Sequence, residues 1–260
     1  MALDNELTGT RQDISGVFTR REKKYPITMD KIDELMPDLH ERMHEDQYGL
    51  STVASVYYDT PSWRLIRESI EKPLYKEKLR LRSYGVPGAD TTVFAEIKKK
   101  FSGIVYKRRV AMPYNEAVAF LGGKAPAPDC QIGREIEYFL QYYQNLAPMI
   151  MVIYDRLALF DSENSDIRVT FDTNIRYRMD DLSLADGMHG KLLLPEGHCI
   201  MEIKSNPFGM PSWLSRVLDK HKVYPGSFSK VGTAYTVELK KHLNLGGYAN
   251  VDNASFKRHP

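Results

Sequence analysis

Across residues 76–109 the chain reads KEKLRLRSYG, a turn, then VFAEIKKKFSGIVYKRR, and charged side chains recur at every second position. A period of two belongs to β-strands, whose successive side chains point to opposite faces. Arg80 and Arg82 share one face of a first strand, with Leu79 and Leu81 on the other. Glu96, Lys98 and Lys100 share a face of a second strand, and Lys107 and Arg109 a face of a third. The window holds ten Lys or Arg against three Asp or Glu, a local net charge of +7. The whole chain carries only +2, so the remainder is net negative at −5. Positive charge is concentrated in one small sheet, which suits a strongly anionic ligand.

The same phase recurs along the chain. Arg20, Glu22 and Lys24 lie on one face of a strand expected over residues 17–27, with Phe18 opposite. Arg156 follows Tyr154 in phase within residues 149–160. Arg168, Thr170 and Asp172 alternate within 167–178, and Glu202 and Lys204 within 198–204. A sheet with one solvated face accounts for any single strand of this kind. Six or seven such strands together, most with apolar residues on the alternate face, are better explained by charges inside and helices outside.

Helices are expected between the strands. Thr28 caps one that places Ile32, Leu35, Met36 and Leu39 at helical spacing. Others are expected over 63–70, from Asn115 to the Gly122-Gly123 stop, and over 133–144, 212–221 and 230–243. With a further strand over 52–58 the count reaches about eight, mostly antiparallel; residues 180–197 read as loop. The expected fold is α+β: a closed eight-stranded, mostly antiparallel β-barrel tunnel with helices packed outside, a size whose interior still holds a small ligand. Residues 1–15 read as a flexible N-terminus, 16–243 as the tunnel domain and 244–260 as a flexible C-terminal tail.

Composition narrows the function. A net charge of +2 argues against a protein that coats nucleic acid, which needs a wide basic surface. No apolar run approaches the ~20 residues of a membrane span, and MALDNELTGT is no signal peptide, so the expected address is the cytoplasm. Cys130 and Cys199 lie far apart and suggest no disulfide framework, and His198 beside Cys199 lacks a second pair to complete a metal site.

A lumen ringed by like charges loses hydration and repels itself, and an oxygen-rich anion offsets both effects. Arginine suits such a ligand through its planar fork of donors, lysine as a mobile point charge. Glu22, Glu96 and Glu202 either pair with neighbouring cations or hold a divalent ion bound to phosphate oxygens. Glu202, set in an otherwise apolar strand, is the first choice for metal.

RREKKY, KLRLRSYG, EIKKKFSGIVYKRR, YDRLAL, IRVTFDTNI, MEIKSN and SFSK occur in the order expected of the VTC domain. The chain therefore resembles the polyphosphate polymerase domain of the vacuolar transporter chaperone complex, within the triphosphate tunnel metalloenzyme (CYTH) superfamily. The resemblance spans roughly residues 18–243. It implies a tunnel that binds ATP and inorganic polyphosphate, triphosphate or pyrophosphate. There a divalent metal, manganese or magnesium, assists transfer of the terminal phosphoryl group of ATP onto a growing polyphosphate chain.

Carried onto this sequence, the resemblance implies a catalytic set made of Lys24, the paired Arg80 and Arg82 of KLRLR, and Lys98 of the E-x-K strand. Lys107 after the hairpin, Arg156 of YDR, Arg168 of IRVTFD, Lys204 of MEIKSN and Lys230 of FSK complete it. Arg20, Glu22, Lys100, Arg109, Tyr154 and Ser229 are expected to bind substrate, and the resemblance implies Glu202 as the metal ligand. Hydrolytic members of the superfamily open with E-x-E-x-K, whereas here Arg20 replaces the first carboxylate. That departure disfavours activation of water, though a triphosphatase, or a non-catalytic polyphosphate or nucleotide sensor, uses the same lumen. The SPX domain and membrane helices of the eukaryotic complex have no counterpart here.

Overall fold

The computed structural model describes residues 21–102, 104–164, 166–206 and 209–242. The expectations for residues 1–15 and 244–260, and for Arg20, therefore fall outside the described residues. Ten strands form one antiparallel sheet: β1 (Arg21–Thr28), β2 (Met43–Glu45), β3 (Ser51–Asp59), β4 (Tyr75–Tyr84), β5 (Thr92–Phe101), β6 (Ile104–Pro113), β7 (Ala147–Asp161), β8 (Arg168–Arg178), β9 (Lys191–Leu192) and β10 (His198–Ser205). Among the described residues six α-helices accompany it: α1 (Met29–His40), α2 (Arg64–Ile70), α3 (Tyr114–Leu121), α4 (Gln131–Tyr143), α5 (Ser212–Lys220) and α6 (Lys230–His242).

Eight strands follow one path, β1-β10-β8-β7-β3-β4-β5-β6, while β2 pairs with β7 and β9 with β8. Among the described residues the expected closed barrel is not formed, because β1 and β6 end the path without pairing with each other. The reason lies at the β1 edge. There the segment leading into α6 runs alongside, with the Gly226 amide donating to the Lys24 carbonyl at 2.7 Å. The sheet nevertheless curls far enough for Lys98 of β5 to reach Glu22 of β1, Nζ to Oε2, at 3.4 Å. Side chains close the seam where the backbone ladder does not.

Alternation along the strands sorts two faces. The outer face of β3, β4, β5 and β7 presents Ala54, Val56, Leu79, Leu81, Ala95, Ile97, Met151 and Ile153. It is covered by Ala117, Phe120 and Leu121 of α3 and Ile136 and Phe139 of α4. The outer face of β1, β8 and β10 presents Tyr25, Ile27, Val169, Phe171, Met201 and Ile203. Ile32, Leu35 and Leu39 of α1 and Leu214 and Leu218 of α5 cover it. Four helices thus lie outside, as expected.

The sixth does not. Val231, Ala234 and Tyr235 of α6 pack on Val53, Tyr57, Ile150, Val152, Tyr154, Tyr177 and Ile200, which share the strand phase of the charged residues. Part of the concave face is therefore apolar and filled by α6, and the charges line the rest. A bulge in β8 makes this possible. Asn174 adopts a left-handed φ of 47°, and the register shifts opposite Tyr154, so that Ile175 and Tyr177 face inward beyond Asp172. No helix among the described residues is long and apolar enough to cross a membrane.

Candidate functional site

The register sets the charged residues onto one concave surface. Directly opposed partners on antiparallel strands share a face, and the pairs Arg80↔Glu96, Glu96↔Arg109, Lys98↔Lys107, Arg156↔Asp172, Arg168↔Lys204, Glu202↔Lys24 and Glu22↔Lys204 run around it. Lys76, Lys78 and Arg82 join from β4, Lys100 from β5 and Lys230 from the first position of α6. Among the described residues this surface carries thirteen basic side chains against four carboxylates, Glu22, Glu96, Asp172 and Glu202. The carboxylates are distributed as counter-ions.

Glu96, 1% exposed, is the hub of one cluster. Arg80 Nε lies 2.7 Å from it, Lys107 Nζ 2.6 Å and Arg82 Nε 3.8 Å. Burial alone would raise this carboxyl, but Arg80, Arg82 and Lys107 outweigh it and hold the pKa at about 2. Arg80 also donates through Nη1 to the Tyr57 hydroxyl at 3.0 Å, and Arg82 to Ser55 Oγ and the Tyr154 hydroxyl at 3.2 and 3.3 Å. Burial pushes the Tyr57 phenol up, yet Arg80, Lys78 and Arg82 bring it down to about 7.

Asp172, fully buried, anchors the second cluster. Arg156 grips it with Nε and Nη2, and Lys230 Nζ lies 2.5 Å from Oδ2. Ser229 Oγ accepts from the Gly232 amide at 3.3 Å, so it caps α6 and sets Lys230 at the helix start. A cation there opposes the helix dipole, and Asp172 offsets that repulsion. Lys230 Nζ stands 4.5 Å from the centre of the Tyr154 ring, with the Arg156 guanidinium 5.1 Å from it on the same ring.

The third cluster lies at the β1–β10 pair. Glu22 Oε1 is 3.7 Å from Lys24 Nζ, and Glu202 Oε1 is 3.3 Å from Lys204 Nζ. Burial would raise Glu202, but Lys204, Lys24, Lys230 and Arg156 together hold it far below the ordinary carboxylate range. Burial likewise opposes ionisation of Glu22, as does the charge of Glu202, but Lys98, Lys24 and Lys204 bring its pKa below the ordinary value. Among the described residues no three His, Cys, Asp or Glu side chains group as metal ligands. Glu202 and Glu22, close enough to feel each other's charge, fit an ion of the magnesium type. Such an ion takes one or two carboxylates and completes its shell with phosphate oxygens and water.

Most residues named from the sequence meet on this surface: Glu22, Lys24, Arg80, Arg82, Lys98, Lys107, Tyr154, Arg156, Glu202, Lys204 and Lys230. Three stand nearer the rim. Arg168 is exposed and paired with Asp46 at 2.8 Å, Lys100 is exposed, and Arg109 stacks its guanidinium on Phe94 at 4.9 Å. Ser229 acts on the helix start through its cap. Sequence reasoning missed Lys76, Lys78 and Tyr57 as lining residues. The phase that singled out Arg80 and Arg82 runs unbroken back through KEK, so the lysines were there to be found.

A curled antiparallel sheet with so large an excess of inward cations presents a strongly cationic concave surface. A sequence model of the VTC domain matches residues 19–239, and the chain belongs to the VTC domain family. No curated protein matches it. Among solved structures it is similar to a Bacillus halodurans protein provisionally named an adenylate cyclase. That likeness has a TM-score of 0.50 at 11% identity and covers 81% of this chain and 95% of the other. A Hippeastrum protein, provisionally named an adenylyl cyclase and described as having a dominant triphosphatase activity, gives 0.49 at 12% identity, covering 83% and 94%. At such identity the likeness to the Bacillus protein bears on the fold alone.

Proposed function

We propose that this chain is a polyphosphate polymerase, transferring the terminal phosphoryl group of ATP onto a growing inorganic polyphosphate chain in the cytoplasm. The observation that carries this reading is the state of the lumenal carboxylates. Glu96, Asp172, Glu22 and Glu202 each lie in contact with one or more cations. Hydrolysis needs a base that positions and activates water. In polymerisation the nucleophile is a terminal phosphate oxygen that is already ionised, so alignment and charge neutralisation suffice.

In this reading Arg80, Arg82, Lys98 and Lys107 hold one stretch of phosphates, and Arg156 and Lys230 face the transferred group. Lys24 and Lys204 flank the carboxylates, while Arg168, Arg109 and Lys100 draw the polymer to the mouth. Glu202, with Glu22 beside it, would hold a divalent ion, manganese or magnesium, which when bound neutralises charge on phosphate oxygens. Arg20, which lies outside the described residues, is proposed as a substrate-binding residue from the sequence alone.

Incubating the purified chain with ATP and manganese tests the proposal. Long-chain polyphosphate is the expected product. Orthophosphate alone would make the chain a triphosphatase, and no turnover with tight polyphosphate binding would make it a sensor.

A further inference from the structure

Lys78 lies on β4 two residues before Arg80 and directly opposite Lys98 of β5, on the concave face. Every other half-buried cation of that face has a polar partner. Arg80 and Arg82 have Glu96, Lys24 and Lys98 have Glu22, Arg156 and Lys230 have Asp172, Lys204 has Glu202, and Lys76 donates to the Ser69 carbonyl at 3.0 Å. Among the described residues Lys78 alone of these has neither hydrogen bond nor ion pair. The groups facing it are Tyr57 from β3, Lys76 and Arg80 on its own strand, Lys98 from β5 and Lys24 from β1 across the seam.

A half-buried ammonium flanked by other cations and without a carboxylate partner is unfavourable twice over, by lost hydration and by repulsion. Its proton is held weakly. Burial, then Lys98, Lys24 and Lys76, bring the pKa down to about 8, against an opposing pull from Tyr57. Phosphate oxygens placed among Lys24, Lys78 and Lys98 would remove the cause of that depression.

Resting on the polyphosphate reading of the lumen, we infer that Lys78 is a further phosphate-binding residue and that binding of polyphosphate is coupled to proton uptake there. The sign follows from linkage. Below pH 8 the ammonium is already charged, and the anion meets it ready-made. Above pH 8 the free chain has lost that proton, and binding must restore it, so affinity falls as pH rises. For one coupled proton the fall approaches tenfold per pH unit.

The test is calorimetric titration of long-chain polyphosphate into the wild type, Lys78→Arg and Lys78→Met between pH 7.5 and 9.5. Two buffers of different ionisation enthalpy count the protons. Interior phosphates of a long chain keep a constant charge over this range. Lys107, whose pKa is also brought down to about 8, and Tyr57, brought down to about 7, contribute to all three titrations, so the differences report Lys78.

The wild type is expected to lose roughly tenfold or more in affinity over the range and to take up protons at its upper end. Lys78→Arg, permanently charged, is expected to bind at both limits with a shallower slope and less uptake. Lys78→Met should bind more weakly than wild type at pH 7.5, also with the shallower slope. Wild-type slope and uptake retained in both variants would overturn the inference and leave the lumen reading standing. Absence of polyphosphate binding by the wild type at every pH would overturn the lumen reading itself.

Discussion

Arg156 holds Asp172 through two bonds, Nε to Oδ1 at 2.6 Å and Nη2 to Oδ2 at 2.8 Å, and the carboxylate is wholly buried. Lys230 of α6 shares it. Two strands and the helix that fills part of the concave face are thus tied at one carboxylate, and two cations are kept aimed inward without a ligand.

Asp172→Asn should therefore destabilise the empty protein by about 3–5 kcal/mol, since it leaves two buried cations without their counter-ion. Tripolyphosphate should restore more stability to the variant than to the wild type, because it supplies the missing negative charge. A ligand at 100 times its dissociation constant adds about 2.7 kcal/mol when it binds only the folded chain. Thermal melts with and without tripolyphosphate check both statements; unchanged stability of the empty variant would contradict them.

At Arg82 the expectation is lost affinity with the fold kept. Its guanidinium meets Ser55, Tyr154 and, at 3.8 Å, Glu96, while Arg80 and Lys107 stay closer to that carboxylate. Arg82→Ala should weaken triphosphate binding by about 1.5–3 kcal/mol, the worth of a charge-assisted bond. Titration calorimetry measures it, and wild-type affinity would place Arg82 outside the binding surface.

Acid should release the Glu96 cluster in a defined window. The carboxyl has an unfolded value of 4.5 and a folded value of about 2. A carboxyl lowered by folding contributes stability that is complete above pH 4.5 and lost as pH falls toward 2. The contribution at neutral pH is roughly 3 kcal/mol. Urea unfolding of wild type and Glu96→Gln from pH 6 to pH 2 should show a gap that closes on acidification. A gap that stays constant would mean that packing, and not charge, accounts for the difference.

Glu202 separates binding from chemistry. Glu202→Gln barely changes shape but removes the carboxylate best placed to hold a divalent ion. Turnover should fall by orders of magnitude, whereas affinity for polyphosphate should persist or rise as one negative charge leaves the lumen. Metal titration of polymer synthesis in both proteins checks this. Near-normal turnover at saturating metal would reduce Glu202 to a partner of Lys204, 3.3 Å away.

Much of this site was legible in the sequence because strand phase is local. Arg80 with Arg82, Arg168 with Asp172 and Glu202 with Lys204 announce their shared faces within a few residues of chain. Closure was not legible, since whether β1 meets β6 depends on what occupies the β1 edge, and that is Gly226, some two hundred residues later. The position of α6 was hidden for a related reason. Val231, Ala234 and Tyr235 mark an apolar stripe but do not say which face of a sheet it will cover. β2 and β9, three and two residues long, are too short to show any period. Lys78 was visible in phase, but its lack of a counter-ion is a property of three strands together.

The most direct measurement follows the label from ATP carrying radioactive phosphorus in the terminal position, with manganese and the wild-type chain. The terminal label should enter acid-insoluble polymer that a polyphosphatase degrades, with ADP formed in step. In a parallel reaction with label in the innermost phosphate, that polymer should stay unlabelled. Terminal label recovered solely as orthophosphate, or innermost label in any product other than ADP, would contradict the assignment of this tunnel to polyphosphate synthesis.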